Sequence, residues 1–219
     1  MADDGQDGHA GLGLRERKKK QTATKVWRTA VDLFLEHGYD EVSVAQIAEA
    51  ADVSKMTVFN YFGTKEDLLM GPMEEHVEDL ARAIAERAPG ASAVDAARAM
   101  VLRKITGRDP SIGLSKEGNE LTLIQLINRT PVLARRALLW TVRGELAAAQ
   151  VLTEETGDSL LSAVAAAQLS GVIGALMSDN HRRVLAGESP DAVAADAADR
   201  AERAFALVEK GLNGFAVRA

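Results

Sequence analysis

The stretch VSVAQIAEAADVSKMTVFNYFGTKEDLL, residues 42–69, constrains this chain more than any other, because it encodes two short helices and the sharp turn between them. Ser43 can accept from an orphan backbone N–H at a helix start, and Gln46 three residues on completes a capping box. Ile47 and Ala51, four apart, share a face. Asp52 falls where the chain must turn, a place for a short polar side chain that tolerates the left-handed region. Val53 plugs the turn and Ser54 caps the second helix. There Val58 and Phe62 face inward and leave Lys55, Met56, Thr57, Phe59, Asn60 and Tyr61 outward. A row of donors, a methyl group and aromatics is poor core material. It suits a helix laid in a DNA major groove, where Asn pairs with adenine and the Thr methyl meets thymine. Helix–turn–helix corners also occur in ordinary all-α domains, so the motif alone leaves that reading open.

The flanks add to it. Val26, Ala30, Leu33, Phe34, Gly38, Tyr39, Ile47, Ala48, Val53, Ser54, Thr57, Val58, Phe62, Lys65, Glu66 and Leu68 stand at the spacing of the DNA-binding domain of the tetracycline-repressor (TetR) family, which this passage resembles. Three positions depart from the family pattern: Asp52 replaces the turn glycine, Thr29 the first alanine of a pair, and Phe59 a tyrosine whose hydroxyl meets phosphate in relatives. Tyr61 still carries a hydroxyl two residues later. The resemblance implies an all-α, nine-helix fold: a three-helix DNA-binding head and a helical body that binds a small molecule and forms a homodimer. It also assigns Lys65 a phosphate contact, which would offset a cation placed at a helix N-terminus.

A net charge of −6 looks wrong for a DNA binder until its distribution is read. Residues 14–28 hold seven cations against Glu16 alone, so this segment is +6 and the remainder −12. One end is thus built to meet a polyanion while the acidic bulk keeps the chain soluble. Lys18, Lys19 and Lys20 are the expected phosphate or minor-groove contacts. With them, Ser43, Ser54, Lys55, Met56, Thr57, Phe59, Asn60, Tyr61 and Lys65 make the expected DNA-binding set.

In chain order, residues 1–13 carry four glycines and three aspartates without apolar periodicity and are expected to be a disordered tail. The head is expected over residues 14–63 and the body over 64–219. A first helix from about Arg15 ends at Gly38 as a left-handed cap. Thr64 caps a fourth helix that Gly71 and Pro72 should kink. Ser92 caps a fifth helix to about Thr106, a sixth covers about 119–128, Pro131 opens a seventh to about Thr156, and Ser189-Pro190 starts a ninth to Lys210.

The eighth helix contains residues 159–178, twenty positions without a charge. That is the length of a membrane span. Its alanine, serine and glycine content and its flanking Asp158 and Asp179 argue instead for a helix buried on all sides. Small residues recur four apart, which lets another helix approach closely. Ala167, Gly171, Gly174 and Ala175, with Phe205 and Val208 from the last helix, are the expected dimer interface. The resemblance places the family's four-helix dimer bundle on the same two helices.

There are no cysteines, and His9, His37, His76 and His181 show no metal-ligand spacing. No glycine-rich phosphate cradle or paired nucleophile and base appears, so neither an enzyme nor a metal or cofactor is expected. Without a secretory signal, cytoplasmic residence is expected. Met100, Arg103, Gln125, Asn128, Trp140, Arg143 and Gln168 are large or polar groups within apolar helices and form the expected effector site. Their few charges favour a largely apolar molecule. Two readings of function remain: a repressor released from a near-palindromic operator by an effector, and a ligand-insensitive DNA-binding or architectural protein.

Overall fold

A computed structural model describes residues 7–114 and 119–211, and these divide into two compact units, Met1–Pro72 and Met73–Ala219. Every regular element among the described residues is helical.

In the first unit α1 (Asp7–His37) is followed by α2 (Val44–Ala50), α3 (Lys55–Phe62) and the start of α4 (Lys65–Glu74). Residues 1–6 of the expected disordered tail lie outside the described residues. From Asp7 the chain is already helical, because extending an existing helix gains a hydrogen bond per residue without a new nucleus. Val26, Ala30 and Phe34 recur at helical spacing on α1 and are fully buried, as are Ile47, Ala51, Leu68 and Leu69. Leu33, which stands with them at the family spacing, is half-buried, whereas Val31 is buried. The Trp27 indole donates to the Leu69 carbonyl at 3.0 Å, which ties α1 to α4.

Pro72 lies inside α4, and the helical break comes three residues later, over residues 75–78. The expected fourth helix is therefore two pieces, α4 and α5 (Asp79–Ala85). Counted as one broken helix, they bring the count to nine helices among the described residues, in keeping with the expected all-α, nine-helix class.

The second unit continues with α6 (Ala93–Thr106), a 3-10 turn (Pro110–Ile112), α7 (Asn119–Arg129), α8 (Pro131–Thr156), α9 (Ser159–Leu185) and α10 (Pro190–Lys210). Ser92 and Asp95 make a reciprocal capping box on α6, and Asp158 and Ser189 cap α9 and α10 through single side-chain bonds. The core joins Leu80 and Ile84 of α5, Ala97 and Val101 of α6, Ala148 and Leu152 of α8, Leu169 of α9, and Val193, Ala197, Ala201 and Phe205 of α10. Gly144 is required by packing. A Cβ there would lie 2.4 Å from the Val77 carbonyl oxygen, so α8 meets that turn backbone to backbone.

Polar groups fix which side of α9 faces which neighbour. Arg183 bonds Asp196 at 2.8 and 3.0 Å, and Arg200 bonds Asp196, Asp179 and, at 2.9 Å, the buried Asn180 amide, locking one side of α9 to α10. On the α8 side, buried Ser162 meets the Thr156 hydroxyl at 3.1 Å.

His181 packs its ring against Gly113, where any Cβ would come within 2.5 Å of it and where φ is +76°. Its Nε2 is buried without a hydrogen-bond partner, and burial pushes the imidazole below its ordinary pKa. The unfolded chain therefore takes up a proton more readily than the folded one. The stabilisation from a neutral His181 is complete above about pH 6.5 and is lost as pH falls from there towards the folded pKa. Urea unfolding should show a lower midpoint at pH 5.5 than at pH 7.5, with a smaller difference in His181→Gln. An equal difference in that variant would assign the pH dependence to other groups.

Candidate nucleic-acid interface

The turn between α2 and α3 is set by local chemistry. Ser43 donates its N–H to the Gln46 side chain at 2.8 Å and accepts from the Gln46 N–H at 3.3 Å, a reciprocal cap worth about 1 kcal/mol. Asp52 takes φ +55°, the left-handed conformation expected at that position, and Val53 donates back to the Ala48 carbonyl at 2.9 Å. Ser54 then caps α3 by accepting from the Thr57 N–H at 3.0 Å.

With Val58 turned inward at 2% exposure, α3 presents Lys55, Met56, Phe59 and Asn60 to solvent. Met56 is 67% and Phe59 40% exposed, unusual for large apolar side chains on an eight-residue helix. The Lys55 ammonium lies 5.8 Å from the Phe59 ring centre. Phe62, expected to be buried, is half-buried, with its ring 6.2 Å from Tyr61. The Thr57 hydroxyl is 2.7 Å from that of Ser54, so it belongs to the cap. Lys18, Lys19 and Lys20 are all exposed on α1.

Lys65 departs from expectation. Its ammonium donates to the Tyr39 carbonyl and lies 4.2 Å from the Tyr39 ring centre and 5.5 Å from that of Phe34. Burial lowers its pKa against the pull of Asp40, Glu66 and Glu41. A carbonyl and two aromatic faces thus offset a cation at a helix N-terminus, and no phosphate is needed to do so.

A family model for bacterial regulatory proteins of the tetR family matches residues 27–70, the span just described. The HTH-type transcriptional regulator TcmR of Streptomyces glaucescens is 30% identical over 152 residues, 68% of this chain and 67% of that protein. The chain belongs to the TetR family. It is accordingly a DNA-binding transcriptional regulator. Solved structures with the TetR-like fold include native NalD of Pseudomonas aeruginosa, the secondary repressor of the MexAB-OprM multidrug efflux pump, at 20% identity and TM-score 0.58 over 86% of this chain and 96% of that one. A complex of SmeT with triclosan matches at 16% identity and TM-score 0.54 over 87% and 90% of the two chains.

The body residues fall differently from expectation. Met100 and Arg103 line one open recess of about 480 Å³ between α5 and α6, together with Asp79, Arg82, Lys104 and Asp109. Trp140 is half-buried with the Arg136 guanidinium 5.5 Å from its ring centre, Gln125 is half-buried on α7, and Asn128 is exposed. Arg143 is held outward by Glu74 at 2.6 Å and Glu78 at 3.6 Å. Gln168, expected in the effector site, is exposed on α9. The seven therefore do not converge on one pocket.

In the expected interface set, Phe205 needs correction. Ala167, Gly171 and Ala175 are exposed and Gly174 half-exposed, so α9 is not buried on all sides: 17% of its most apolar window is covered. Phe205, expected at the interface, is wholly buried in the subunit core with Arg98 6.0 Å from its ring centre, and Val208 is half-buried. Sequence reading missed Leu138, Leu139, Val142 and Leu146, all between 48% and 64% exposed on α8. Their spacing of three and four, opposite the small residues Gly144 and Ala148, was the available signal.

Proposed function

We propose that the protein is a cytoplasmic homodimeric repressor that reads a near-palindromic operator with α3 and leaves it when a small molecule occupies the unit Met73–Ala219. The observation that carries the DNA-reading part is the capped eight-residue helix whose outward row is Lys55, Met56, Phe59 and Asn60. Asn60 and Lys55 reach base edges and the Thr57 methyl meets a thymine. Tyr61 and the α1 lysines hold phosphates. Lys65 braces the corner that carries them. Measured against salt, Lys19→Ala should weaken binding to every sequence alike and lower the salt slope by about one, whereas Asn60→Ala should relax one operator position at a cost of roughly 1–3 kcal/mol. A Lys19→Ala protein altered only in base preference would reverse the two roles.

Effector release rests on the family and on the recess that carries Met100 and Arg103. That recess is bordered by three cations and three carboxylates, which favours a polar or zwitterionic effector over the largely apolar one expected from sequence. Among the described residues, an enclosed apolar cavity lined by Val101, Ile105, Ile112, Ile173 and Leu176 holds about 10 Å³, too small for an organic ligand. Linkage sets the test: an inducer that lowers operator affinity by some factor must itself bind the operator complex weaker by the same factor. Titrating a compound found by screening for operator release, with and without operator, measures both factors. A compound that binds tightly and leaves operator affinity unchanged supports the ligand-insensitive reading.

A further inference from the structure

We infer that Met56 and Phe59 read C5-methyl groups in the operator, which makes recognition selective for thymine at the centre of the contact. This rests on the reading that α3 enters the major groove, and it names the chemical feature that the middle of α3 recognises. Both side chains are large and apolar, and they stand 67% and 40% exposed on a helix of eight residues.

Successive residues advance by about 100° around a helix, so Lys55, Phe59, Met56 and Asn60 follow one another over an arc of about 140°. All four are exposed, and Val58 lies on the far side, buried in the core of the first unit. This order puts the two apolar groups in the middle of the arc and the two polar ones at its edges. The Lys55 ammonium, 5.8 Å from the Phe59 ring centre, keeps positive charge beside the apolar pair. Phe59 has no hydroxyl to offer a phosphate, so its ring contributes only apolar surface.

A partner for this face must combine negative charge at its edges with an apolar group at its floor. The major groove does so: phosphates border it, and the C5 methyl of thymine is the one apolar group that a base pair presents there. The exposed Lys18, Lys19 and Lys20 of the same unit favour that polyanion over an apolar protein surface. Met56 and Phe59 are three apart and so side by side on the helix, which suits methyl groups on neighbouring base pairs. A 5-methylcytosine offers the same methyl at the same place in the groove.

Duplexes selected from random sequence by the full chain supply the operator. Replacing one thymine by deoxyuridine removes the methyl and keeps every hydrogen bond, and it needs no altered protein. At one or two thymines in each half-site this should weaken binding about fourfold, the equivalent of one buried methyl group. At those positions 5-methylcytosine should bind about fourfold tighter than cytosine. Met56→Ala and Phe59→Ala should leave circular dichroism unchanged, because both side chains are exposed. In each variant the deoxyuridine effect should shrink to within about 1.5-fold at the thymine that the lost side chain meets, whereas a thymine met by Thr57 should keep it in both. Deoxyuridine without effect at every thymine, or effects undiminished in both variants, overturns the inference, and Asn60→Ala still relaxing one position then leaves the α3 reading in place. A chain that selects no sequence overturns that reading itself.

Discussion

Replacing Phe205 by alanine should cost the folded subunit about 3–5 kcal/mol, the usual penalty for emptying a fully buried aromatic site. Phe205 shares its core with Ala97, Val101 and Ala201, and the Arg98 guanidinium over its ring is held outside by Glu209. Alanine leaves that pocket empty, and little beside it can collapse inward because the neighbouring side chains on α6 and α10 are already small. Urea unfolding at two protein concentrations separates the possible causes. A core role predicts a drop in midpoint at both concentrations; a loss confined to dilute samples would place the ring at a subunit interface instead. Val208, half-buried three residues later, should cost less when cut to alanine.

The opposite result is expected at Gly171, where leucine should leave the subunit intact and abolish the dimer. A Cβ at this position meets nothing within 4 Å, and the helix gains from losing a glycine, by about 0.8–1 kcal/mol. Across a two-fold interface the same side chain appears twice at the closest approach and holds the two α9 helices apart. Operator binding should vanish with the dimer although the residue is remote in sequence from α3, because a single head keeps only its half-site contacts. Sedimentation and operator titration of Gly171→Leu measure both consequences. A dimeric variant with wild-type operator affinity would remove this part of α9 from the contact.

The first unit was legible because its signals are local. Ser43 with Gln46, Asp52 at positive φ, Ser54 with Thr57 and Gly38 each decide a cap or a turn from side chains within five residues, and each behaves as the spacing required. Lys65 was not legible in that way. Its partners, Tyr39 and Phe34, stand 26 and 31 residues earlier, and a cation at a helix start gives no sign of which distant oxygen or ring will meet it. The Pro72 break was displaced for a related reason: proline removes one donor, but where a helix then ends depends on what holds the following turn, here Gly144 of α8 against Val77.

By itself the sequence determined the helical class, the boundaries of most helices, and the helix–turn–helix with its outward row, since periodicity and capping are properties of neighbouring residues. Tertiary structure decided which apolar residues face inward. Phe205 and Leu146 are both large, apolar and helical, yet the first is sealed against α6 and the second left in water, because the packing of α8, α9 and α10 chooses one stripe of each helix for the core. The same packing left Gln168 outside among alanines and gathered Met100 and Arg103 at one recess while scattering the other candidates. Burial is set by the sum of neighbours in space, and a chain read in order shows only the neighbours along it.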